Sequence, residues 1–169
     1  MRTLAFLSLL TLVTSVVASD RARSFRHDVL PVLSKAGCNS GGCHGALAGK
    51  GGFRLSLNAY DPATDHYNIT RENRGRRIEY ADPARSLFVI KPTAAVRHKG
   101  GKILHEDSDD YKLLIEWIQQ GAPGPSTDDT ELNRIELSPA LSQLKKGDTQ
   151  PLTVHAFFSD GTKRDVTRW

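Results

Sequence analysis

The sequence has very little sulfur and almost no excess charge, and both shortages restrict what the protein can be. Only two of its 169 residues are cysteines, Cys38 and Cys43, so a scaffold held by many disulfide bonds is excluded. The formal net charge is +4, which falls by one if Arg2 is removed, and so small an excess argues against a nucleic-acid-binding surface. Stability must come from a buried core, a cofactor, or both.

The amino terminus has the layout of a secretory signal peptide over residues 1–19. Arg2 precedes an apolar stretch that runs to about Val17, and small residues follow it. The stretch is interrupted by serines and threonines and is shorter than the ~20 apolar residues of a membrane-spanning helix. No later segment is apolar enough to span. We therefore expect an exported protein, periplasmic or extracellular, with no membrane span after cleavage.

Two helices are predicted in the following hundred residues. Residues 24–37 carry apolar residues at helical spacing, with Ser24 as N-cap, while Pro31 predicts a kink or a late start. Residues 108–120 give the clearest helix, whose apolar stripe leaves Trp117 off the main face. The polar residues between them, 61–77, are predicted to be irregular.

The pattern changes after a predicted linker at residues 125–130. Apolar residues alternate with others over residues 152–158, and the sequence SDGT at 159–162 is typical of a hairpin turn. These features predict about three strands of a β-sandwich. A sandwich of that kind needs about seven strands and roughly 100 residues. Residues 131–169 therefore read as the first part of a second domain.

The sequence GCNSGGCHG contains both cysteines and allows three interpretations. A haem attachment site would need Cys38 and Cys43 as thioether anchors and the adjacent His44 on the iron, although four residues separate the cysteines instead of the usual two. Gly41 and Gly42 would let the extra residues bulge away from the porphyrin. A small disulfide loop is the equal alternative from spacing alone. A zinc site is weaker, because no second cysteine pair exists.

Residues 24–124 resemble a planctomycete-type cytochrome c domain. The resemblance is carried by FRHDVLPVLSKAGCNSGGCHGALAGKGGFRLSLNAYDP, by TRENRGRRIEYADPARSLFVIKP, and by HKGGKIL and YKLLIEWIQQGAP. It implies a covalent haem c anchored by Cys38 and Cys43, with His44 as the proximal iron ligand. Residues 131–169 resemble the start of a bacterial Ig-like domain of the second group. The implied fold is a mainly α cytochrome c-like domain with extended and loop insertions, followed by a truncated all-β sandwich segment.

Histidine is the expected distal ligand if that resemblance holds. Methionine, common at this position, is present only as Met1, which would leave with the signal peptide. Small cytochromes c take the distal ligand from the loop before the last helix, where His98 and His105 stand. We expect His98, because the two glycines of VRHKGG would let that loop approach the haem, with His105 as second choice. Bis-histidine ligation implies a comparatively low potential.

The arginines of RENRGRR, Arg71, Arg74, Arg76 and Arg77, could bind haem propionates, dock an acidic redox partner, or form a solvated turn. Tyr111 and Trp117 could line a haem pocket. We expect a secreted electron-transfer module, not an enzyme in itself, that belongs to a larger multidomain protein and serves an unidentified redox partner. One alternative is a haem sensor or small catalyst with an open iron position. Another is a haem-free adhesion protein with a Cys38–Cys43 disulfide.

Overall fold

The computed structural model describes residues 21–169, so the predicted signal peptide lies outside the described residues. It combines four α-helices with a three-stranded antiparallel sheet. The helices are α1 (Leu30–Lys35), α2 (Pro62–Thr70), α3 (Leu87–Ile90) and α4 (Asp109–Gln119). The strands are β1 (Leu132–Ser138), β2 (Thr153–Phe158) and β3 (Lys163–Asp165). Within residues 21–169, no helix has the length and apolarity needed to cross a membrane.

The first helical segment starts where the sequence predicts it, but it begins as a π-helix and continues as an α-helix. Ser24 accepts a hydrogen bond from the His27 amide at 3.2 Å, and the next five residues, Phe25–Val29, form a π-helix. Regular α-helix begins only at Leu30, one residue before Pro31. Proline has no amide proton and is tolerated in a first turn, so the late start is confirmed.

The second helix, α2, corrects the prediction of irregular structure. Its sequence lacks an apolar stripe because it buries polar side chains instead: Asp65 accepts hydrogen bonds from Ser56, and Asn68 donates to the Arg54 carbonyl at 3.1 Å. Asp61 caps the helix by accepting from the Thr64 amide. Hydrophobic periodicity cannot detect a helix that is held to the protein by hydrogen bonds.

The last helix, α4, packs its central side chains into the core, and Trp117 is fully buried there. This corrects the prediction that Trp117 falls off the apolar face. The chain folds back after the helix, so that the indole Nε1 donates to the Pro123 carbonyl at 3.0 Å and Ala122 is buried. The Phe25 ring lies 5.7 Å from the Trp117 ring, which joins the first helical segment to α4.

The three strands follow the sequence order β1-β2-β3, and a tight turn at residues 159–162 joins the last two as predicted. β1 is exposed along its whole length, whereas Ala156 and Phe158 of β2 are buried. The sheet contacts the first helical segment, because the centroid of the His27 ring lies 5.0 Å from that of the Phe158 ring. The Nε2 atom of His27 also lies 2.6 Å from the carbonyl oxygen of Thr130, just before β1.

Candidate functional site

A cavity of about 610 Å³ opens in the helical part of the protein. Four of the predicted site residues line it together: Cys38, Cys43, His44 and His98. Its walls are apolar side chains from α1, α3, α4 and the segments between them, among them Leu33, Leu55, Phe88, Leu104 and Leu114. A mostly apolar pocket of a few hundred Å³ with a few polar groups is typical of a cofactor site.

The loop between the two cysteines is a compact turn. The His44 amide donates to the Cys38 carbonyl at 2.9 Å, and the Cys43 amide donates to the Ser40 carbonyl at 3.0 Å. These bonds fold the four intervening residues back, so both sulfur-bearing residues reach the same cavity. The buried Asn39 side chain fixes the turn to α1 by donating to Ser34 Oγ at 2.8 Å.

The glycine on which this loop depends is not one that the sequence suggested. Neither Gly41 nor Gly42 has a positive φ, and a Cβ on either would meet nothing within 4 Å. At Gly45, by contrast, a Cβ would lie 2.1 Å from the Asn39 carbonyl oxygen. The close approach of backbone to backbone therefore occurs after His44, at Gly45.

His44 is held in one orientation by the chain around Phe53 and Leu55. Its Nδ1 lies 2.9 Å from the Phe53 carbonyl oxygen, and its carbonyl accepts from the Leu55 amide at 2.8 Å. A carbonyl oxygen can only accept, so Nδ1 carries the proton and Nε2 keeps its lone pair. Burial lowers the pKa of the His44 imidazole, although the Phe53 contact opposes the shift. The neutral imidazole with a free Nε2 is the form that binds metals.

His98 has the same arrangement on the facing loop. Its Nδ1 lies 2.9 Å from the Gly101 carbonyl oxygen, which again leaves Nε2 free. The His44 and His98 rings are nearly parallel, at 17°, with centroids 6.5 Å apart. With metal–nitrogen bonds of about 2 Å and about 1 Å from nitrogen to centroid, imidazoles on opposite sides of one metal ion have centroids about 6 Å apart. The observed centroid separation is close to that value.

The remaining histidines are engaged or placed elsewhere. His105 is exposed and does not line the cavity. His66 lies in α2, where its Nε2 is 2.8 Å from the Ala122 carbonyl oxygen. His27 contacts Thr130, and His155 lies in β2.

The cavity rim is strongly basic. Its lining includes six cationic side chains and no acidic one: Lys50, Arg76, Arg77, Lys91, Arg97 and Lys99. Of the four arginines in RENRGRR, Arg76 and Arg77 reach the cavity, whereas Arg71 and Arg74 are exposed and do not line it. Tyr111 and Trp117 also do not line it. Sequence reasoning missed Phe53, although its place in the alternating segment after the glycines marks it as a packed side chain.

Both cysteines are free thiols. Burial raises the pKa of the Cys38 thiol to about 11, and the neighbouring Cys43 adds to the rise, so Cys38 is a protonated thiol at neutral pH. A cysteine that binds zinc does so as a thiolate, and a structural zinc site usually has four protein ligands. Among residues 21–169, no group of three or more histidine, cysteine or acidic side chains could hold a metal ion by itself. A metal ion held by His44 and His98 would need its remaining ligands from a cofactor.

Comparison with known proteins gives no relative from which a role could be transferred, since no family model, curated protein or solved structure matches the chain.

Proposed function

We propose that residues 24–124 form a c-type cytochrome domain that holds one covalent haem and transfers electrons. The observation that carries this proposal is the meeting of four side chains, Cys38, Cys43, His44 and His98, in one cavity. Each imidazole keeps its Nε2 free because its Nδ1 is bonded to a backbone carbonyl, as metal-binding histidines usually are.

In this proposal each residue has a distinct task. Cys38 and Cys43 would hold the haem through thioether bonds, and His44 and His98 would be the axial ligands. Bound haem supplies a reversible one-electron couple. The apolar walls exclude water from the site, and two histidine ligands keep the potential comparatively low.

The basic rim would bind the haem propionates. Arg76 is exposed at the cavity edge, and Lys50, Arg97 and Lys99 are exposed nearby. Cations placed beside carboxylates form charge-assisted hydrogen bonds, which are stronger than neutral ones. The same exposed cations would favour an acidic redox partner, in keeping with electron transfer through a haem edge at this opening.

The proposal extends to the context of the domain. Export by a signal peptide at residues 1–19 would place the protein where c-type haem is attached. Residues 131–169 would begin an Ig-like domain that spaces the cytochrome from further domains of a larger protein. The helical domain would not be an enzyme, although attached domains could be.

The direct test of this proposal is to detect covalently bound haem. The full chain, exported from cells with a c-type cytochrome maturation system, should stain for haem peroxidase activity on a denaturing gel. The double variant Cys38→Ala, Cys43→Ala is the matched control and should not stain. A colourless wild-type protein whose mass equals the polypeptide minus two hydrogens would refute the proposal and establish the haem-free disulfide protein instead. Carbon monoxide binding to the native reduced protein would indicate an open iron position.

A further inference from the structure

Arg77 lines the cavity, yet its guanidinium is occupied by the protein. The residue is only 6% exposed. Its Nη1 donates to the Asn68 carbonyl at 2.7 Å, and its Nη2 donates to the Gly52 carbonyl at 3.2 Å. Glu72 Oε2 lies 3.0 Å from Nη2 and neutralises the charge. A buried cation persists only when it is paired and hydrogen-bonded in this way, so Arg77 is not a free anion-binding group.

The same guanidinium lies over the Phe53 ring, with its carbon 4.5 Å from the ring centroid. Arg77 therefore contacts both ends of one dipeptide: the Gly52 carbonyl through a hydrogen bond and the Phe53 side chain through a cation–π interaction. A backbone held at both points has little freedom to rotate its next carbonyl.

That next carbonyl belongs to Phe53 and accepts the proton of His44 Nδ1. The Phe53 ring also packs against the His44 ring, with centroids 4.7 Å apart. The partner of the second ring nitrogen fixes the tautomer and the plane of a metal-binding histidine and raises its basicity. Arg77, Phe53 and His44 thus form one continuous series of contacts from the buried cation to the imidazole.

We propose that Arg77 is a positioning residue for the proximal ligand: by clamping Gly52 and Phe53 it aims the Phe53 carbonyl at His44 Nδ1. This inference rests on the proposed haem function. It differs from propionate binding, because the guanidinium acts through Gly52 and Phe53 and its donors are already bonded to protein groups. Arginine is suited to the task, since its planar fork reaches two carbonyls while its face covers an aromatic ring.

The test compares Arg77→Gln with Arg74→Gln in the holoprotein. Both variants remove one positive charge from the same run of arginines, but Arg74 is exposed and does not line the cavity. The ferric electron paramagnetic resonance spectrum is the readout, because its g values depend on the orientation of the axial imidazoles. Arg77→Gln should shift and broaden the low-spin signal, whereas Arg74→Gln should reproduce the wild-type spectrum. Arg77→Lys keeps the charge without the fork and should give an intermediate spectrum.

The outcomes separate this inference from the proposed function. A wild-type protein without haem stain would overturn both. Stained variants in which Arg77→Gln and wild type give the same spectrum, or in which Arg74→Gln shifts the signal equally, would overturn only the positioning role. If Arg77→Gln does not accumulate as folded protein, Arg77→Lys decides the matter, and an unchanged spectrum there also overturns the role.

Discussion

The loops that carry His44 and His98 face each other across the cavity but are held in different ways. The His44 loop is tied to distant parts of the chain, through the Leu55 amide, the Phe53 carbonyl and the Arg77 guanidinium behind it. His98 is bonded only within its own turn, to Gly101, which donates its amide back to the His98 carbonyl. The first imidazole is therefore fixed by the fold, and the second by one residue, Gly101, three positions along the chain.

The His98 loop is nevertheless closed at its base. The amides of Ile103 and Leu104 both donate to the Pro92 carbonyl, at 2.9 and 3.1 Å, and Leu104 is buried. Between these points the chain is mostly exposed. Few buried contacts and exposed hydrogen bonds mark a segment that opens at low free-energy cost. The comparison teaches that His44 is preorganised by the fold, whereas His98 lies on a segment that is expected to open at a lower free-energy cost.

The largest expected effect comes from removing each imidazole in turn. His98→Ala should retain full haem staining but convert the low-spin ferric spectrum to a high-spin or mixed one, because only the distal bond is lost. His44→Ala should remove the low-spin spectrum and also lower the yield of stained protein, since the variant lacks the imidazole that the fold holds in place. Absorption spectroscopy and gel staining measure both results.

His105→Ala is the control for this pair, because His105 is exposed and outside the cavity. Its spectrum should match wild type. A low-spin spectrum that survives in His98→Ala and is lost in His105→Ala would reverse the distal assignment.

A smaller effect is expected from a substitution that crowds the His98 side chain but keeps its imidazole. A Cβ at Gly100 would lie 2.8 Å from His98 Cε1. The ring must shift by a few tenths of an ångström, and overpacking of this kind costs about 1–3 kcal/mol. Gly100→Ala should therefore give a mixture of low-spin and high-spin ferric haem. Gly41→Ala, where a Cβ meets nothing within 4 Å, should remain fully low-spin. Equal spectra for the two variants would show that the His98 loop tolerates displacement.

The sequence predicts those features of the fold that depend on residues close together in the chain. The cap Ser24, the late start at Pro31 and the hairpin turn are all short-range patterns, and the structure contains each of them. The family resemblance predicts that both cysteines, His44 and His98 lie in one cavity. No comparison tests the resemblance itself.

Other features escaped prediction because they depend on partners distant in the sequence. The helix α2 is stabilised by buried polar contacts that do not produce an apolar stripe. Trp117 is buried by chain that folds back after the helix has ended. Arg77 lies in a run of charged residues that is typical of a solvated turn, and only the tertiary fold brings it against Phe53. In each case the stabilising contact cannot be predicted from the hydrophobic periodicity of the sequence.

The smallest expected effect comes from a more distant support of the proximal loop. Asp65 is fully buried and accepts hydrogen bonds from both the amide and the hydroxyl of Ser56, next to the Leu55 that holds the His44 carbonyl. Asp65→Ala leaves both Ser56 donors unpaired and should lower the free energy of unfolding by about 1–3 kcal/mol. Urea unfolding followed by circular dichroism measures the loss.

Asp65→Asn is the matched control. Burial raises the pKa of Asp65, against the opposing effect of its Ser56 hydrogen bonds, so the ionised form carries a desolvation cost that an amide avoids. The amide oxygen can still accept from the Ser56 amide, and its NH₂ can donate to the hydroxyl. The asparagine variant should therefore lose less stability than the alanine variant. Equal losses would mean that the shape of the side chain, and not its hydrogen bonds, braces the loop, and the contrast between the two loops would then rest on Phe53 and Arg77 alone.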